Sequence, residues 1–200
     1  MPSQTDLLND ALSQIGASPI TAIDDGSTNA NYCQRFYPQL LEAMIRSHHW
    51  NFAMARVQLA QVTPVPVFEF AYAYALPSDL LKIVEYSGAD PNTTTLSLVD
   101  ETFIVPSVWR IEGRTLVTND GTVKIVYLKR ATDPNVWDGM FYQAMAASLA
   151  SKLALAISKD GKQSVALSQL AQGLWADARA SDGQEGSIQR MHVNDLIWGR

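Results

Sequence analysis

The feature that most constrains the fold is a hydrophobic period that changes twice along the chain. Up to about residue 49 apolar residues recur at helical spacing, from 50 to 131 they alternate, and from 132 the helical spacing returns. In TDLLNDALSQIG (5–16), Leu7, Leu8, Ala11, Leu12 and Ile15 share one helical face, and Gly16 follows as a stop signal. ASPITAIDDGSTNAN is turn chemistry. A second helix is expected over 27–48, carried by Tyr32, Phe36, Leu40, Ala43 and Met44, with a kink or break at Pro38.

A third helix is expected from the Asp133-Pro134 step to about Ser158. Its Ala144, Ala147, Ser148, Ser151 and Ala154 are small enough for close helix–helix approach. KDGK (159–162) reads as a corner, and a fourth helix as 163–180 with Val165, Leu167, Leu170, Leu174 and Trp175. Between the helical segments, RVQLAQV (56–62) alternates, and FEFAYAYAL (68–76) places Phe68, Phe70, Tyr72 and Tyr74 on one strand face. EGR (112–114) and NDG (119–121) read as tight hairpin turns. PSDLL (77–81) reads as a short turn before 82–86 extends, and ADPNTTT (89–95) as a loop.

These elements imply an α+β chain. A discontinuous helical bundle (1–49 and 132–181) brackets a mainly antiparallel β insertion (50–131), and an extended C-terminal tail (182–200) follows. The tail is polar and glycine-containing, then carries Val193, Leu196, Ile197 and Trp198. A segment of that composition does not fold on itself, yet it has apolar anchors for a partner.

Charge and composition exclude several functions. Fifteen basic residues against 20 acidic ones leave a net charge of −5, which argues against a nucleic-acid grip or attachment to an anionic membrane. The single Cys33 excludes an intramolecular disulfide and a four-thiolate zinc site, and suits a reducing compartment. MPSQTDLLNDAL has neither the positive start nor the apolar run of a secretory leader. MFYQAMAASLASKLALAI (140–157) carries Gln143 and Lys152 and reads as a buried helix, not a membrane span.

Residues for chemistry do not converge. The histidines are 48, 49 and 192. The adjacent pair points about 100° apart on a helix, so it chelates poorly; at a helix C-terminus it suits the dipole instead. Asp24-Asp25 reads as a turn and Asp100-Glu101 as a solvated loop pair. Cys33, beside Tyr32 and Phe36, reads as core. There is no G-x-S-x-G elbow, G-x-G-x-x-G or Walker loop. Neither a catalytic residue, a metal ligand nor a cofactor is expected, and the sequence reads as a structural or interaction protein.

Three stretches resemble the tail tubular protein A family, the head-to-tail adaptors of short-tailed bacteriophages. They are DLLNDALSQIGASPITAIDDGSTNAN, LLEAMIRSHHWNFAMARVQLA and DPNVWDGMFYQAMAASLASKLALAIS, in that order. The resemblance implies that Trp50 and Phe52 form the structural hinge where a helix passes into a strand. It implies a ring of commonly twelve subunits that docks under the portal, receives a tail nozzle similar to tail tubular protein B, and lets double-stranded DNA pass without specific binding. An acidic channel wall suits sliding of phosphates. The tail residues Val193, Leu196, Ile197 and Trp198 would then dock on the portal, with Ile197 and Trp198 as anchors. The implied location is the virion tail, after assembly in the bacterial cytoplasm and with no membrane partner. The competing readings are a head-completion or stopper protein of a long-tailed phage, a tail-associated wall-degrading hydrolase, and a nucleic-acid-binding regulator.

Overall fold

The computed structural model describes residues 2–89, 97–98, 101–102 and 108–185. The chain is α+β. Its described residues form two compact units, one from 2–40 with 133–185 and the other within 41–132. Residues 41–49, assigned by periodicity to the helical segment, fall in the strand-rich unit.

In the first unit, α1 (Gln4–Gln14) starts in a capping box. Ser3 Oγ accepts from Asp6 N at 3.1 Å, and Asp6 Oδ2 accepts from Ser3 N at 2.7 Å. Gly16 leaves the helix at φ +70°, a left-handed conformation that favours glycine. Asn9 then ties the following turn to the helix, donating to Ile20 O at 3.0 Å and accepting from Ile20 N at 2.8 Å.

Helix α2 (Thr28–Ser47) is capped by Ser27, whose Oγ accepts from Ala30 N at 3.1 Å. The break expected at Pro38 does not occur, because α2 runs through it. An internal proline costs about 3 kcal/mol. Pro38 is itself exposed, while Cys33, Tyr37, Leu40, Leu41 and Ile45 bury one stripe on either side of it. Burying each large apolar side chain contributes about 1.5–3 kcal/mol, so the stripe outweighs the missing bond. The helix ends at Ser47, so His48 and His49 lie just beyond its last turn.

The expected helix start at Asp133-Pro134 is a separate 3₁₀ turn, Pro134–Val136, capped by Asp133. Trp137 is extended and buried, packing edge-on against Phe141 at 5.1 Å. Helix α3 (Gly139–Leu153) therefore starts later, with Asp138 accepting from Met140 N at 2.7 Å. It continues as a π-helical turn, Ala154–Ser158, and ends on Lys159 at φ 52°. By length and composition Gly139–Ser158 is apolar enough to cross a membrane; in this fold α1 and α4 both pack on α3.

Asp160 opens α4 (Gly161–Gln184), accepting from Lys162 N and Gln163 N at 2.9 and 3.0 Å. Small residues allow α3 and α4 to meet closely. Ser151 Oγ donates to Ser164 O, and Ser164 Oγ to Ser151 O, both at 2.8 Å. Trp175 Nε1 donates to Ser148 Oγ at 2.7 Å. Helix α4 passes the expected end near 180, so residues 182–184 of the expected extended tail are helical, with Asp182 buried. The rest of the expected tail, 186–200, lies outside the described residues.

The second unit holds β1 (Met54–Gln58), β2 (Tyr72–Ala75), β3 (Leu80–Ala89), β4 (Ser97–Leu98), β5 (Glu101–Thr102), β6 (Trp109–Glu112), β7 (Thr115–Thr118) and β8 (Thr122–Lys129). All pairings among the described residues are antiparallel. The sheet orders are β1-β8-β3 and β2-β7-β6, with β4 paired to β5. Val123, Ile125 and Tyr127 alternate inward on β8 and meet Tyr74 and Leu116 of the second sheet, together with Leu59.

EGR forms the expected hairpin, pairing Glu112 with Thr115 and holding Gly113 at φ +61°. NDG does not, since β7 and β8 lie in different sheets and the turn is a corner between them. Its side chains bond outward instead of letting the two strands pair. Asn119 Oδ1 accepts from Ala71 N at 2.9 Å, and Asp120 is buried with its carboxylate accepting from Tyr86 of the first sheet. The expected stripe of Phe68, Phe70, Tyr72 and Tyr74 holds only for Tyr72 and Tyr74. The strand begins at Tyr72, because Glu69 turns the chain at φ 72°. Phe70 packs with Ala73 and Val117, Tyr74 joins the main core, and Phe68 stays exposed.

Candidate functional site

The helix-to-strand step is the first place to look for chemistry. Trp50 is buried, and its Nε1 donates to Met44 O at 3.0 Å, closing the end of α2. The His48 ring meets Trp50 edge-on at 4.7 Å, and Phe52 stacks on it at 6.0 Å. Residues 51–53 make one 3₁₀ turn before β1. His49 Nε2 lies 3.3 Å from Lys82 Nζ, an ammonium standing where a cation would have to bind. Arg46 Nη1 reaches Leu81 O at 2.6 Å, tying this end of α2 to β3. The histidines are thus structural neighbours of Trp50. Among the described residues, no three of His, Cys, Asp and Glu converge as a metal site.

Sequence reading passed over a polar cluster around Asp120, a residue that pattern alone marks as a turn. Tyr86 Oη donates to Asp120 Oδ2 at 2.5 Å and lies 3.1 Å from Thr118 Oγ1. Thr118 Oγ1 donates to Val108 O at 3.0 Å. Tyr74 Oη donates to Asp120 O at 2.7 Å, and Gln61 Nε2 donates to Tyr74 Oη at 3.1 Å and to Gly121 O at 3.0 Å. Burial, and then Asp120, push the Tyr86 phenol well above its ordinary range. Trp109 stacks on Tyr86 at 5.4 Å. Asp120 accepts from Tyr86 of the first sheet through its carboxylate and from Tyr74 of the second through its backbone carbonyl, a knot joining the corner to both sheets. On the outer face of the first sheet, Arg56, Gln58, Glu85, Ser87 and Lys124 surround Val126 in an open cavity of about 420 Å³. Its charges are mixed in sign and spread across three strands.

The exposed apolar surfaces among the described residues include these two. One is the connection between β1 and β2, where Val65, Val67 and Phe68 are 55%, 99% and 79% exposed. Its base is braced. Arg110 pairs with Glu69 at 3.4 Å and lies over the Phe70 ring at 5.8 Å, Val62 N donates to Ala73 O at 2.8 Å, and Phe70 is buried. The sequence signal was TPVPVF, an apolar run with prolines and no alternation, which no strand face absorbs. The other is a groove of about 470 Å³ in the helical unit. Leu167, Leu170 and Leu174 of α4 form one wall, Ala146 and Ala147 the floor, and Asp10, Gln14 and Gln143 part of a polar rim.

The residues expected to anchor a partner, Val193, Leu196, Ile197 and Trp198, lie outside the described residues. No family model matches the chain, and no curated protein matches it.

Proposed function

We propose that this chain is a virion structural protein: the ring-forming head-to-tail adaptor of a short-tailed phage, located in the tail and assembled in the bacterial cytoplasm. The observation that carries the reading is the braced loop bearing Val65, Val67 and Phe68. Large apolar side chains held in water on a fixed base suit a docking surface, not a reaction. The resemblance of the three sequence stretches supplies the partners. The helices from the two ends of the sequence pack as a bundle that forms the ring wall with its neighbours, commonly twelve copies, under the portal. The β unit meets the nozzle through the 65–68 loop, Trp50 and Phe52 form the hinge, and the tail carrying Val193, Leu196, Ile197 and Trp198 docks on the portal. The net charge of −5 leaves passing DNA ungripped. No catalytic group is assigned.

The test is the mass in solution by light scattering, alone and with the portal protein of the same phage. A species near the 22.0 kDa chain mass that becomes a ring complex on the portal is the expected result. A small oligomer indifferent to the portal would overturn the proposal.

A further inference from the structure

The groove of the helical unit has three unlike sides. Its floor is the small Ala146 and Ala147 of α3. One wall is the leucine stripe of α4, with Leu170 53% exposed and Leu167 and Leu174 half-buried. The other wall is α1, where Asp6 and Asp10 stand one turn apart and no basic residue occurs. Helices α1 and α4 both pack on α3. A further helix laid over the alanines would lie between them, and the small floor lets it approach closely. We infer that the occupant is helix α2 of a second copy of this chain, seated with its Tyr32–Gln39 face in the groove.

Helix α2 carries a face with the matching asymmetry. Its buried stripe is Cys33, Tyr37 and Leu40. At about 100° per residue, Tyr32, Phe36 and Gln39 share a different face, within about 60° of arc. Tyr32 and Phe36 are half-buried and stack at 6.3 Å, and Gln39 is exposed. Arg35 stands on the flank of this face about 100° from Phe36, exposed and with no ion pair among the described residues. It is the only charged residue of α2 before Glu42, so the face brings a cation and no acid.

Charge then sets the direction of docking. When Phe36 lies against the leucines of α4, Arg35 meets the acidic wall of α1. Asp10 Oδ2 accepts from Tyr142 Oη at 2.7 Å, and a carboxylate has a second oxygen to offer a guanidinium. Length agrees as well. Leu167 to Leu174 and Tyr32 to Gln39 each advance seven residues, about 10 Å at 1.5 Å per residue. The α2 face and the groove are different surfaces, so copies joined head to tail can close into a ring. The inference deepens the ring reading and rests on it for the direction in which the contact repeats.

The test uses the full chain with paired cysteines that spare the contacting groups. Gln39→Cys with Gln143→Cys puts one thiol on the α2 face and one on the groove rim, both at exposed positions, and the native Cys33 is buried. The control is Gln34→Cys with Gln143→Cys, because Gln34 is exposed about 140° further round α2. Oxidation traps passing contacts, so the ring need not persist without the portal. At high micromolar protein the Gln39 pair should link chains at least about tenfold faster than the control, as a ladder of dimers, trimers and longer species on a non-reducing gel. Adding Asp10→Arg should bring the rate down to the control's, and adding Arg35→Asp to that variant should restore it. Equal rates for the two pairs would overturn the inference, as would closure within one chain, linkage that stops at dimers, or indifference to Asp10→Arg. The ring reading is judged separately, by the mass of the unaltered protein with the portal. A ring that forms there while the two cysteine pairs link equally would refute this contact alone.

Discussion

Gly88→Ala is the substitution whose cost follows most directly from the packing. Gly88 sits on β3, and a Cβ there would overlap the Asp120 carboxylate and come within 2.5 Å of Tyr86 Oη. Its φ is not positive, so the backbone accepts alanine and the whole effect is steric. Asp120 is 2% exposed and held by the phenol at 2.5 Å, while Tyr86 is held in turn by stacking on Trp109. One of them must move. Losing a hydrogen bond to a charged group costs about 1.5–3 kcal/mol, and overpacking a closed site about 1–3 kcal/mol. Restricting the unfolded chain returns about 0.4–1 kcal/mol. The net expectation is destabilisation by about 3 kcal/mol. At a urea m-value of about 2 kcal/mol/M, that lowers the unfolding midpoint by about 1.5 M. Tryptophan fluorescence follows it well, because Trp109 is part of the affected stack. Asp120→Ala clears the obstruction, so the double variant should be more stable than the sum of the two single costs predicts, by about 1–2 kcal/mol. A Gly88→Ala cost below about 1 kcal/mol, or additivity within about 0.5 kcal/mol, would refute the role given to this knot.

Tyr37 Oη is buried with no hydrogen-bond partner among the described residues, so Tyr37→Phe should stabilise the protein by about 1 kcal/mol. A lowered Tm would contradict this. Burial pushes the Tyr37 phenol from 10.0 up to about 12, and the Cys33 thiol from 9.0 up to about 11 with a smaller push from Asp25. The folded state therefore retains protons that the unfolded chain gives up. The stability tied to these groups is complete below about pH 9 and falls as pH rises towards 12. Urea midpoints measured from pH 8 to 11 should show that decline, and a Cys33→Ala, Tyr37→Phe variant should show a shallower one. Val67→Asp, at a position 99% exposed, should leave stability within about 0.5 kcal/mol and, on the proposed adaptor reading, weaken binding to a tail nozzle protein at least tenfold in a pull-down titration. Unchanged binding would remove the loop from the interface.

The sequence by itself determined the element types. The helical period and the Gly16 stop reveal α1, KDGK reveals the α3–α4 corner and EGR the Gly113 hairpin, because these depend on contacts within a few residues. Tertiary structure decided everything that depends on distant partners. Burial on both sides of Pro38 keeps α2 whole, and packing of Trp137 delays the start of α3. Hydrogen bonds from Tyr86 and Tyr74 turn Asn119-Asp120-Gly121 from a hairpin into a corner between sheets, although the local signal for a hairpin was strong. The positive φ at Glu69 moves Phe68 out of a strand and into water. The Asp120 knot and the α4 groove were illegible for the same reason. Each is built from residues tens of positions apart, and no local pattern records which of them will meet.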